Sequence, residues 1–172
     1  MNAIEIKDPF KFKDVKKMYD DSFPPHERGD FDSFLKGVYE GFKLYAFYDN
    51  NTLCGMCHYN VTPEFIHLNY IAIDKYYRNK GYGSLILTWL KEKYGDSPIC
   101  VDVEEIDEKA SDNITRQKRK DFYFNNGFKN GKYTFYWNGV YMRNLKYKDV
   151  DDDKFITYVQ KFFIMENIKR ID

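Results

Sequence analysis

The sequence predicts an α/β fold of the α+β kind, a mixed, largely antiparallel sheet flanked by helices. Three patterns predict it. Residues 42–48, 52–61 and 67–73 read as strands whose links are so short that they must be antiparallel neighbours. Residues 67–94 read as strand, glycine-bearing turn and helix, and a further apolar strand follows at 99–103, a connection long enough for a parallel crossover. Asn138-Gly139, between strand-like segments 132–137 and 140–145, is a strong hairpin signal. The 172 residues suit one domain with a proper core, and 43% apolar with 31% charged residues fits a globular protein. Rings supply 19%, with 15 Phe and 16 Tyr, so aromatic packing must fill much of that core.

In chain order, 4–6 is a short first strand, and Phe12, Val15, Met18 and Tyr19 recur at helical spacing over 12–22 until Pro24-Pro25. Asp30 or Asp32 then caps a second helix carrying Phe34, Leu35, Val38 and Tyr39. Asp49-Asn50-Asn51 and Thr62-Pro63-Glu64 form the turns around the second strand of the sheet's central trio, in which Gly55 marks a bulge or a close approach. Leu85, Ile86, Trp89 and Leu90 form the stripe of the next helix, which runs to about Lys93. Asp112 or Asn113 opens another, running to about Asn125; Gly127 suits its left-handed end and Phe128 covers it. Its Arg116, Lys118, Arg119 and Lys120 are expected on a solvated face. Asp149 and Asp151–Asp153 read as a capped start to a last helix with Phe155, Tyr158, Val159 and Phe162, since the glycine and glutamate of a calcium loop are missing from their offsets.

Several function classes are disfavoured. Lys plus Arg equals Asp plus Glu at 27 each, so no global field draws nucleic acid or an anionic membrane. The first residues hold no signal-like apolar stretch, and no run approaches the roughly 20 residues of a spanning helix, so the expected location is cytoplasmic. Cys54-Gly55-Met56-Cys57-His58 spells a haem-attachment motif, but its flanks read as strand, where residues three apart face opposite ways. These are expected to be ordinary buried strand cysteines, and no metal site is expected.

The turn before the third helix carries the chemistry. N–H groups at a helix start lack intrahelical partners and favour an anion; Gly81 and Gly83 let a phosphate approach them, and Arg78 and Lys80 add positive charge. Neither a dinucleotide fingerprint nor a P-loop is spelled here. The stretch Arg78-Asn79-Lys80-Gly81-Tyr82-Gly83 resembles the cofactor motif of the GNAT superfamily of N-acetyltransferases, and Phe122-Tyr123-Phe124-Asn125-Asn126-Gly127-Phe128 resembles that family's aromatic-Tyr and Asn-Gly-Phe signature, in family order. The resemblance implies a GNAT-like domain over 1–147, with 148–172 a C-terminal helical extension packed on the same domain.

It also implies acetyl transfer from acetyl-CoA, as co-substrate, to a primary amine by direct attack. Arg78, Asn79, Lys80, Gly81, Tyr82, Gly83 and Ser84 would hold the pyrophosphate, and backbone groups of Ile71 and Ile73 the pantetheine arm. Tyr123 corresponds to the general acid that protonates the departing thiolate. Many relatives carry a base where this chain has Asn69, an amide that cannot take a proton. Glu104 is the first candidate base and His67, through water, the second. Arg116 stands where the family often has a cofactor-contacting asparagine, with Asn113 a substitute; Arg116 or Arg119 would reach a CoA phosphate. The loop Ser22-Phe23-Pro24-Pro25-His26-Glu27-Arg28 is similar to one bordering the acceptor site, which puts Glu27, with Asn69, at a small-molecule or peptide amine. The other class left open is a catalytically weak acyl-CoA-binding or regulatory module. Monomer and homodimer are both compatible with the sequence.

Overall fold

The computed structural model describes residues 1–8, 12–25, 27–33, 41–161 and 165–171. They form two compact units, Met1–Asp96 and Ser97–Asp172.

In the first unit, β1 (Asn2–Glu5), β2 (Phe42–Asp49), β3 (Thr52–Val61) and β4 (Ile66–Ile73) lie in that order, every neighbour antiparallel. The first strand starts two residues before the expected one, and Ile6 continues its ladder with a bond to the Leu44 carbonyl. Asn50 and Asn51 take φ of 46° and 66°, the left-handed geometry that a tight hairpin between twisted strands needs. Two bulges shape the sheet. Register jumps across Cys54, between the Phe47–Gly55 and Tyr48–Leu53 pairs, and across Asn69, between His58–Tyr70 and Tyr59–Leu68. A bulge adds one residue to a period of two, so His67 and Tyr70 share a face despite their odd spacing.

That face packs on helix α1 (Lys13–Ser22), whose Val15, Met18 and Tyr19 join Leu44, Ala46, Met56 and Ala72 in one core. The opposite face takes helix α2 (Tyr82–Tyr94), with Trp89 against Tyr45 and Phe47 at ring separations of 4.7 and 5.0 Å. Gly55 serves both roles foreseen for it. It lies beside the bulge, and a Cβ there would come within 2.8 Å of Ile86 Cδ1. The helix expected around Phe34, Leu35, Val38 and Tyr39 lies outside the described residues, which hold only a short 3-10 turn at Phe31–Ser33 in that region.

The second unit orders β5 (Ile99–Glu104), β7 (Val140–Tyr147), β6 (Lys129–Trp137) and β8 (Glu166–Arg170), again antiparallel. Asn138 and Gly139, at φ of 46° and 86°, turn the predicted hairpin. Helix α3 (Asn113–Asn125) runs as expected and ends with the Phe128 N–H bonded to the Tyr123 carbonyl across left-handed Gly127. Helix α4 (Asp152–Val159) is capped by Asp151, which accepts from the N–H groups of Asp153 and Lys154. Phe162, expected in this helix, lies outside the described residues. The extension is not purely helical, since β8 pairs with β6. Its residues are exposed on almost every position, so no apolar alternation announced it.

Cys54, Cys57 and Cys100 are free and buried, as expected of strand cysteines. No described helix is long and apolar enough to cross a membrane.

Candidate functional site

The glycine-bearing turn of the first unit is built by its own backbone. After β4, the Asp74 N–H bonds the Cys54 carbonyl, the Asp74 carboxylate accepts from the Tyr76 N–H, and its carbonyl accepts from Tyr77. Arg78 Nε donates to the Ile73 carbonyl at 3.0 Å, so Arg78 buttresses the strand end whose backbone was expected to lie open. Asn79 and Gly81 are left-handed, with φ of 59° and 85°. Gly81 is the N-cap of α2 and provides no side-chain cap. A Cβ on it would meet nothing within 4 Å. The N–H groups of Tyr82, Gly83 and Ser84 therefore begin the helix without intrahelical partners, beside the exposed Arg78 and Lys80. Tyr82 is held by its hydroxyl, which donates to Asp49; that bond and burial push its pKa up to about 12.

On the α1 face of the same unit lies a buried polar group. His58, Asn60 and His67 are each at most 3% exposed. His58 Nδ1 lies 3.4 Å from the Asn69 amide nitrogen, and its ring stacks on Phe42. Burial, reinforced by His67, pushes the His58 pKa down to about 3, so this imidazole stays neutral. The loop with Glu27 is fastened to the same strand face. Tyr70 Oη donates to the Glu27 carbonyl at 2.9 Å and accepts from the Gly29 N–H at 3.0 Å, while Tyr19 Oη donates to the Gly29 carbonyl. Sequence reasoning met His58 only in the haem-attachment spelling and passed over Tyr70. The usable signal was the alternation of His58 with Asn60 on one strand, but the bulge that brings Asn69 alongside is invisible without the register.

The second unit gathers Tyr123, Glu104, Arg116 and Arg119. Tyr123 is 4% exposed on α3 and packs against Phe122 and Phe128. Burial raises its phenol well above the ordinary range, and Arg119 draws it partly back. Glu104, at the end of β5, pairs with Arg119 and, at 3.9 Å, with Arg116. Arg116 also bonds Asp112 at 2.9 Å and the Glu105 carbonyl at 3.2 Å. Lys120 and Arg143 pair with Glu105. Lys118 is exposed as expected of a solvated face, but Arg116 and Lys120 are not. The acidic end of β5 gives Arg116 and Lys120 partners, and their side chains are only 10% and 15% exposed. Asn113 accepts from the Asp107 N–H at 3.0 Å and so closes its own loop. Among the described residues, no group of His, Cys, Asp or Glu could hold a metal ion.

A sequence profile described as "Acetyltransferase (GNAT) domain" matches residues 40–130. No curated protein sequence matches the chain. Among solved structures, the chain is similar to a GNAT-family protein from Bacteroides thetaiotaomicron, at 21% identity and TM-score 0.74, with 94% of each chain covered. It is also similar to an aminoglycoside 6'-N-acetyltransferase complexed with coenzyme A, at 14% identity and TM-score 0.64, over 88% of this chain and 100% of that one. A third likeness is to the ribosomal-protein-S18-alanine N-acetyltransferase from Escherichia coli, at 15% identity and TM-score 0.56, over 87% and 96%. At these identities the likeness carries the fold and not the acceptor.

Proposed function

Because the chain belongs to the GNAT acetyltransferase family, we propose that it transfers the acetyl group of acetyl-CoA directly to a primary amine of a small molecule or peptide. The observation that carries this reading is the start of α2, an uncapped helix N-terminus at a left-handed glycine with open space before it. Backbone N–H groups there suit a diphosphate, with Lys80 and the outer edge of Arg78 adding charge. In this reading Ile71 lies along the pantetheine arm.

The amine lone pair attacks the thioester carbonyl carbon, the carbon–sulfur bond breaks, and the Tyr123 hydroxyl gives its proton to the leaving sulfur. The products are an amide and the free thiol. A phenol buried this deeply is certain to carry its proton at neutral pH, which an acid must. The amine's surplus proton goes through water to His67, and Tyr123 recovers its own from solvent. We assign the base to His67 ahead of Glu104 because both carboxylate oxygens of Glu104 face guanidinium groups. Glu27 and Asn69 are proposed to border the acceptor.

Asn69 in place of the family's glutamate favours a second reading, a catalytically weak acyl-CoA-binding module. Calorimetric titration with CoA, followed by thiol release from acetyl-CoA with spermidine, kanamycin, lysine and a short peptide, separates the two. Binding with turnover supports the enzyme, binding alone supports the module, and absence of CoA binding overturns both.

A further inference from the structure

Glu104 and Arg119 form an ion pair in which the Glu104 side chain is 9% exposed and the Arg119 side chain 39%. Bonded to Glu104 through Nη1, Arg119 is tethered at one nitrogen and still carries its positive charge beside its other neighbours. Tyr123 follows Arg119 by four residues on α3, which sets the two side chains over the same helix face. The ring is buried, with Phe122 and Phe128 around it. Burial raises its phenol, and the positive charge of Arg119 opposes that rise. The other charges of this region belong to Arg116 on α3, with Glu104 on β5 and the N-cap Asp112, and to Glu105 just past β5, with Lys120 on α3 and Arg143 on β7.

We propose that Arg119 is a positioning residue for the acid step, seated by Glu104 so that its positive charge favours the phenolate left when Tyr123 gives up its proton. This inference rests on the acid role given to Tyr123 above, and it supplies what that role lacks. An apolar cage keeps the phenol protonated but resists the anion that proton donation creates. A fixed cation one helical turn away offsets that resistance without titrating itself. Glu104 then holds the cation and tempers its charge.

The test is a titration of Tyr123 in the full chain. A polyfluorinated tyrosine placed at position 123 by codon suppression lowers the phenol's own midpoint far more than one fluorine would, into a pH range the fold tolerates, and its fluorine resonances report ionisation of that one ring. Arg119→Gln should move the midpoint up and Glu104→Gln should move it down, each on the order of one pH unit. Opposite signs matter, because mere loosening of the fold would hydrate the ring and lower the midpoint in both variants. Arg119→Lys, which keeps the charge, should stay near the wild-type value and serves if Glu104→Gln does not fold. Midpoints that move in one direction in both Gln variants, that do not move, or that rise as far in Arg119→Lys as in Arg119→Gln would overturn the proposal. Thiol release by Tyr123→Phe with the same four amines is read separately. Correct midpoint shifts with wild-type release would remove the acid role and leave the coupling; absent shifts with lost release would do the reverse.

Discussion

Both units bury neutral polar groups, Thr134 and Asn144 among them in the second, but among the described residues the second also buries carboxylates. The first covers His58, Asn60 and His67, groups that need no counter-ion when neutral, and it opens α2 at Gly81 with no side-chain cap. The second covers Glu104 and Asp152, each beside a cation, Arg116 with Arg119 for one and Lys146 for the other. The contrast teaches where each is vulnerable. A neutral buried ring is lost when a proton is forced on it, whereas a buried pair is lost when one partner is taken away.

Removing a partner should give the largest effect. Asp152 is 8% exposed, accepts from the Lys132 N–H at 3.0 Å and pairs with Lys146 Nζ at 2.7 Å. Asp152→Ala leaves both donors covered and should cost about 3–5 kcal/mol in urea unfolding, while Asp152→Asn, which can still accept from Lys132, should cost less. The Lys146 pKa is raised although burial opposes it, because Asp152 and Asp149 carry it up. With the folded value above the unfolded one, this stabilisation is complete below the ordinary lysine range and is lost as pH rises through the raised value. An Asp152→Ala protein as stable as wild type would mean the pair does nothing for the second unit.

Acid should strike the first unit instead. His58 has its pKa pushed down to about 3, so between that value and about 6.5 the unfolded chain binds a proton that the folded chain refuses. The sign is that stability falls as pH falls through this window, by up to about 1.4 kcal/mol per pH unit. His58→Gln should flatten the slope of urea midpoint against pH between 4 and 6. An unchanged slope would show that another group sets the acid limb.

Much of this was legible in the sequence, and what was not has a common physical cause. Glycine and asparagine carry backbone constraints on their own, so the turns at Asn50-Asn51, Gly81, Gly127 and Asn138-Gly139 could be placed from residue type alone. Most strands followed from apolar, ring-rich runs bounded by turn residues. The ion pairs of Arg116, Arg119 and Lys120 did not, because they depend on which side of α3 meets the end of β5, a fact of tertiary packing that the order Arg-Gln-Lys-Arg-Lys does not encode. Asn69 was singled out as a departure from the family pattern, but its bulge beside His58 follows only from register. Strand β8 lacked any signal because an edge strand exposed on both faces needs only backbone to pair.

The smallest stability effect is also the sharpest test of backbone against side chain, and it compares two glycines within the first unit. Gly55→Ala puts a methyl 2.8 Å from Ile86 Cδ1 and 3.0 Å from the Ala72 carbonyl oxygen, so it should cost about 1–3 kcal/mol through overpacking. Gly81→Ala meets nothing within 4 Å, and its cost is the left-handed φ of 85° alone, about 1 kcal/mol. Function should reverse the order. The methyl on residue 81 enters the space from which a diphosphate must approach the N–H groups of residues 82–84, and we expect CoA affinity to fall about tenfold or more, equivalent to at least about 1.4 kcal/mol. Gly55→Ala, as long as it folds, should bind CoA like wild type, because its methyl faces the α2 packing and not the helix start. Calorimetry on both variants at a temperature where each is folded decides the matter: if Gly81→Ala binds CoA undiminished, the N–H groups at the start of α2 are not what holds the diphosphate.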